Sequence, residues 1–184
     1  MSISVRDALS PYKSGFIAVF IGIVAVVVGY FVDRAYFSDD SPDQPINFSH
    51  RIHAGSVENG GNEIPCMHCH VYADRTFSAG VPSVNKCMNC HKAVATDKPE
   101  IKKVAGYWER REPIMWIKVY DLPDFVHFPH KRHVKAGLEC QECHGPVETM
   151  DKIVRQQELK MPFCVDCHTE REVVNGRDCW TCHK

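Results

Sequence analysis

Cys140-Gln141-Glu142-Cys143-His144 is one of five copies of a single five-residue phrase. The others are Cys66-Met67-His68-Cys69-His70, Cys87-Met88-Asn89-Cys90-His91, Cys164-Val165-Asp166-Cys167-His168 and Cys179-Trp180-Thr181-Cys182-His183. C-x-x-C-H is the attachment signature of c-type haem. Its two thiols add to the two vinyl groups of the porphyrin, and the adjacent histidine reaches the iron from the proximal side. A lone C-x-x-C also reads as a redox dithiol or half of a zinc site. Five copies that use all ten cysteines, each followed by histidine, argue against both alternatives. The sequence therefore predicts five c-type haems. Their thioethers fall on Cys66, Cys69, Cys87, Cys90, Cys140, Cys143, Cys164, Cys167, Cys179 and Cys182, and their proximal ligands are His70, His91, His144, His168 and His183.

Upstream of the quoted copy lies Val126-His127-Phe128-Pro129-His130-Lys131-Arg132-His133, and a matching phrase, Ile46-Asn47-Phe48-Ser49-His50-Arg51-Ile52-His53, precedes the first copy. Both contain F-x-H-x-x-H, so the chain holds an internal repeat: a first unit with two motifs and a second with three. On a helical turn the i, i+3 spacing sets both imidazoles on one side. Electron-transfer haems take histidine or methionine on the distal side, and His50, His53, His130 and His133 are the expected distal ligands. The fifth distal ligand is open between three residues. His68 sits between the cysteines of its own motif and cannot fold over that haem's distal face, but it can serve a neighbour or a propionate. His127 adjoins the second pair. Met161 is too close to Cys164 to cross that haem, whereas Met150 has enough intervening chain to arch over it, and is the expectation. A His/Met haem would have a raised potential.

Gly15 to Val32 is a run of eighteen residues without a charge, long enough for a transmembrane helix, with Tyr12 and Tyr30 near its ends. A cleaved signal peptide would have a shorter apolar core and a small-x-small site, which Asp33-Arg34-Ala35-Tyr36-Phe37 does not supply. Lys and Arg counts hardly bias the topology: Arg6 and Lys13 precede the span and Arg34 follows it. The orientation comes from the motifs, because haem attachment of this kind is performed outside the energy-transducing membrane. The expected order is a cytoplasmic terminus (1–14), an anchor (15–33), a linker of turn formers and acids (34–45), a two-haem unit (46–105), a connection (106–125) and a three-haem unit (126–184). The chain is thus expected to be a single-pass protein of the cytoplasmic (inner) membrane with its haem domain on the periplasmic side.

About 150 residues outside the span for five haems leave roughly thirty residues per haem, too few for a large polypeptide core. The expected fold is mostly α and irregular, with little regular structure wrapped around the macrocycles. Ala95–Lys103 reads as loop or short helix, and Ile114–Tyr120, rich in aromatics and β-branched residues, as a short extended strand. The aromatics of 107–120 are expected on haem faces or a partner subunit. A net charge of −1, from 22 basic and 23 acidic side chains, gives no basic excess and no sign of a nucleic-acid partner.

F-x-H-x-x-H followed by C-x-x-C-H resembles the small tri- and tetrahaem cytochromes c of sulfate and metal reducers. That resemblance implies that His50 serves the haem of His70, His130 that of His144, and His53 and His133 later haems of their units. The run from Asp121 through Met150 to Met161-Pro162-Phe163-Cys164, with one amino-terminal span and five motifs, resembles the pentahaem cytochrome subunit of alternative complex III. It implies a non-catalytic electron-transfer subunit of a respiratory-chain quinol oxidoreductase. Its implied partners are an iron–sulfur protein, polytopic quinol-binding subunits, a monohaem cytochrome c and a soluble acceptor. Two other readings stand beside it: a stand-alone membrane-anchored quinol dehydrogenase feeding a periplasmic reductase, and a multihaem reductase with an open iron. The first is less well matched, because Val71-Tyr72-Ala73 follows His70 where those proteins carry a methionine. Intact-mass spectrometry of the mature protein should show five haem additions, and a smaller number would remove the five-motif reading.

Overall fold

The structure, a computed structural model, describes residues 10–36 and 41–183. It divides into two units, Met1–Asp39 and Asp40–Lys184. Residues 1–9 of the expected cytoplasmic terminus and 37–40 of the expected linker lie outside the described residues, whereas residues 10–14 are part of the first helix. The first unit contains helix α1, Ser10–Tyr36. Its window Gly15–Val32 is apolar all round, and none of it is buried. A helix apolar on every side has no polar face to give to water, the pattern of a membrane span. At 1.5 Å per residue those 18 residues extend for about 27 Å, close to the hydrocarbon thickness of a bilayer.

The second unit is built from short helices joined by irregular chain: α2 (His50–Ala54), α3 (Cys66–Cys69), α4 (Val84–His91), α5 (Pro99–Arg110), α6 (His130–Lys135), α7 (Gln141–His144), α8 (Met161–Glu170) and α9 (Cys179–Cys182). Among the described residues there is no sheet, and the one β-bridge joins Val126 to His183. Each C-x-x-C-H falls on or beside one helical turn, which puts cysteines three apart on one face. Helix α2 starts where it does because Ser49 is extended and its hydroxyl accepts the Ile52 N–H at 3.1 Å. Helix α5 begins with Pro99, whose missing N–H costs nothing there, and ends as Arg111 turns left-handed at φ 56°. It takes in most of Ala95–Lys103, so that stretch is chiefly helix.

Ile114–Tyr120 departs from expectation. It is not a strand, and its pairing partner is a side chain. The Gln44 amide donates to the Ile117 carbonyl at 2.8 Å and accepts the Ile117 N–H at 2.9 Å, reproducing two bonds of a β-ladder. The segment is pinned there because Ile114 is buried and Trp116 packs beside it. Trp108 instead carries Lys92 over its ring at 4.8 Å.

The buried apolar cluster is small: Ile46, Val84, Met88, Val104 and Ile114, with Cys87, Ala105, Tyr107 and Trp116 packed against it. It sits between α4 and α5, near the second motif only. The three-motif half therefore lacks an apolar core of its own among the described residues. Joining of the halves is polar. Arg51 N–H donates to Met150 O at 2.9 Å, while Asp151 receives the Arg51 guanidinium at 3.0 Å and the Ser49 hydroxyl at 2.5 Å. So little buried apolar surface cannot offset the entropy of ordering this much chain. Protein produced without haem attachment should show no cooperative thermal transition by circular dichroism, whereas the haem-loaded protein should melt cooperatively.

Candidate haem sites

Helices α2 and α6 repeat one local arrangement. In each, the first histidine opens the helix and the second lies one turn on. The phenylalanine two residues earlier wedges between the rings. Phe48 meets His50 edge-on at 4.8 Å and stacks on His53 at 4.3 Å; Phe128 meets His130 at 4.9 Å and His133 at 4.3 Å. Such ring pairs contribute about 0.5–1.5 kcal/mol each, enough to hold both imidazoles in fixed rotamers. The positioning role of Phe48 and Phe128 was not foreseen, although the F of the repeated phrase was its signal.

The imidazoles are oriented by a second device. Nδ1 of His53 donates to Ser49 O at 2.8 Å, that of His70 to Gly80 O at 2.7 Å, and that of His91 to Val94 O at 3.0 Å. Likewise Nδ1 of His130 donates to Phe77 O at 2.7 Å, that of His133 to Pro129 O at 3.0 Å, and that of His168 to Gly176 O at 2.7 Å. A carbonyl oxygen cannot donate, so in the neutral ring Nδ1 carries the proton and Nε2 presents a lone pair. That is the form a metal takes.

The structure then sets these rings against the predicted proximal ones. His130 and His144 are parallel, 5° apart in plane, with centroids 6.4 Å apart. His133 and His168 stand at 6.0 Å and 26°, and His53 and His91 at 6.0 Å and 70°. His50 lies by His70. Burial first, then the neighbouring His70 and His53, push the His50 imidazole down to about 4, and its Nδ1 is buried without a partner. His144 is lowered by burial, then by His130 and His70. His133 is lowered chiefly by burial, although its bond to Pro129 opposes this. All three are therefore neutral near pH 7 and keep a lone pair.

The separations test whether a haem iron fits. Two metal–imidazole bonds of about 2.0–2.1 Å, plus about 1 Å from each nitrogen to its ring centre, put the two centroids about 6 Å apart. The observed 6.0–6.4 Å matches this spacing. Among the described residues no three His, Cys, Asp or Glu side chains converge on one point. Two opposed ligands per centre are what a macrocycle needs, since it supplies the equatorial nitrogens itself. The ten cysteines are each exposed or half-exposed, open to attachment, and the residues fit the group.

The thiols also meet across motifs. Burial raises Cys69, with Lys86 opposing and Cys90 adding to the rise. Burial and then Cys69 raise Cys87. Cys140 is raised by burial and then by Cys66, to which it is hydrogen-bonded. Cys143 is raised by burial and then by Cys167, and Cys164 by burial and then by Cys182.

Residues 126–184 match the family of cytochrome c7 and related cytochrome c. Over 193 aligned residues the chain is 31% identical to the multihaem cytochrome c subunit of a menaquinone reductase from Nitratidesulfovibrio vulgaris, covering 90% of this chain and 88% of that protein. The chain belongs to the multihaem cytochrome c family, and its residues 126–184 are of the cytochrome c7 type. As a cytochrome c of this kind it takes c-type haem and serves electron transfer.

Three predicted site residues stand apart from the opposed pairs. Met150 is held beside α2 through its carbonyl, and His133 occupies the position facing His168 over which Met150 was expected to arch. His68 and His127 are both exposed. The His127 N–H donates to Cys182 O at 2.8 Å, which sets it beside the fifth motif, where Phe125 stacks on His183 at 5.7 Å. The carbonyls that orient the imidazoles were not foreseen, since any residue can supply one. Gly176 left a trace in the sequence: a Cβ there would lie 2.8 Å from His168 Nδ1. Gly176→Ala should displace that ring and shift one low-spin EPR signal of the haem-loaded protein, leaving the others in place.

Proposed function

We propose that this cytochrome is an electron-relay subunit carrying five c-type haems in a membrane-bound quinone oxidoreductase of the alternative complex III type. The observation that best supports the reading is the set of opposed imidazoles 6.0–6.4 Å apart. In this reading the ten cysteines hold the macrocycles and His70, His91, His144, His168 and His183 are proximal. His50, His53, His130 and His133 are distal to the first four in that order. For His183 the candidates are Met150, His127 and His68, and His127 is the one bonded to that motif. Each haem, when bound, supplies a one-electron iron couple whose potential its axial ligands set. With two protein ligands for every haem, no position would remain for a substrate, and the chain itself would act as a relay and not as a catalyst.

Helix α1 anchors the chain in the inner membrane, with residues 1–14 cytoplasmic, 15–33 spanning and 34–45 linking. Residues 46–105 then carry two haems and 126–184 three on the periplasmic side, joined by 106–125. The relative's name supports a quinone-linked assembly: the N. vulgaris protein is a subunit of a menaquinone reductase. Carried over, that name favours passage of electrons towards menaquinone. The resemblance to alternative complex III favours the opposite direction, from quinol through an iron–sulfur partner to a periplasmic acceptor. The relay residues are the same in both, because direction is set by the partners at its ends.

The haem-loaded chain alone, mixed with a reduced menaquinol analogue, should keep its ferric absorption spectrum. The same subunit within its purified complex should exchange electrons with that analogue. Rapid reduction of the isolated chain would replace the relay reading by that of a stand-alone quinol dehydrogenase.

A further inference from the structure

The contacts between motifs do not follow their order in the sequence. Helix α2 supplies His50 to the first motif and His53 to the second, one helical turn apart, so these two centres are neighbours. Helix α6 does the same for the third and fourth through His130 and His133. An ion pair from Arg171, just after α8, to Glu142 on α7 ties those two motifs again.

The fourth and fifth motifs are linked by one loop. Gly176 accepts from His168 Nδ1, and the preceding Asn175 carbonyl accepts the Thr181 hydroxyl at 3.0 Å, inside the fifth motif. What remains is how the two halves meet. The loop that leaves the first motif turns back on α6, where Phe77 O takes both the N–H and Nδ1–H of His130 and Thr76 O takes the Lys131 N–H at 3.1 Å. The first and third motifs are therefore neighbours.

We infer that the five attachment motifs stand in one row in the order second, first, third, fourth, fifth, with the first and third as the junction between the halves. The inference deepens the relay reading and takes from it only that each motif holds a haem. The first motif, nearest the membrane span in sequence, is an interior member of the row. Its ends are the Cys87–His91 and Cys179–His183 motifs. Trp180, inside the fifth motif, is 75% exposed. In such a row a redox partner is met at one of the two end motifs, and electrons cross between the halves at the first and third motifs. Neighbouring centres feel one another's charge, because Coulomb interaction falls with distance and is screened by intervening solvent.

Two measurements on the haem-loaded full chain test the row. Anomalous diffraction at the iron edge should place the His144 iron between those of His70 and His168, with the His91 and His183 irons each having one near neighbour. An iron at His91 or His183 between two others would overturn the order. Potentiometric titrations of His50→Met, His130→Met and the double variant should show non-additive shifts, as expected for coupled sites. The pair His53→Met and His133→Met should be additive. Additivity at the junction pair, or coupling of the distant pair, would reject the inference. The diffraction result does not depend on the variants folding. Five irons in the stated order without any exchange with menaquinol in the complex would uphold the row and reject the relay reading.

Discussion

A hydrogen bond from histidine Nδ1 to a main-chain carbonyl underlies this molecule. Six imidazoles make it, from His53, His70, His91, His130, His133 and His168. Because the acceptor has no proton to give, the bond determines the tautomer as well as the ring orientation. Nε2 is left with its lone pair. A fold with few buried side chains could not hold imidazoles by packing alone, and main-chain acceptors are available wherever the chain passes.

The F-x-H-x-x-H phrase adds the second half of the device. One helical turn presents two imidazoles, and the phenylalanine ahead of it separates and braces them. Ser49 O and Pro129 O, four residues before the second histidine of each pair, accept from it within the same turn. The first histidine is treated differently in the two copies. His130 reaches across to Phe77 O in the other half of the chain, whereas His50 Nδ1 is buried without a partner. The second copy thus reaches into the first half through His130, while the first copy reaches into the second half through Arg51 and Ser49.

Several expectations from the sequence depended on local pattern and several did not. The attachment phrases, the apolar run at Gly15–Val32 and the turn at each histidine pair are local, and each formed a helix. The strand expected at Ile114–Tyr120 failed because strand propensity needs an adjacent strand, and the chain offers Gln44 instead. Met150 had enough chain to reach over the fourth motif, but α6 brings His133 there. Chain length bounds what a residue can reach and says little about which competitor arrives.

What the sequence by itself determined was chemistry: two thiols and an imidazole at a spacing that suits one cofactor, repeated until no cysteine was left. It also set the short helices and the apolar helix α1, since those depend on neighbours a few residues away. Tertiary structure alone decided which imidazole faces which, and that the first motif lies against the third. Those pairings join residues 14 to 74 positions apart through carbonyls that carry no distinctive residue signature. A backbone oxygen is the same at every position, so its role is visible only once the chain has folded around it.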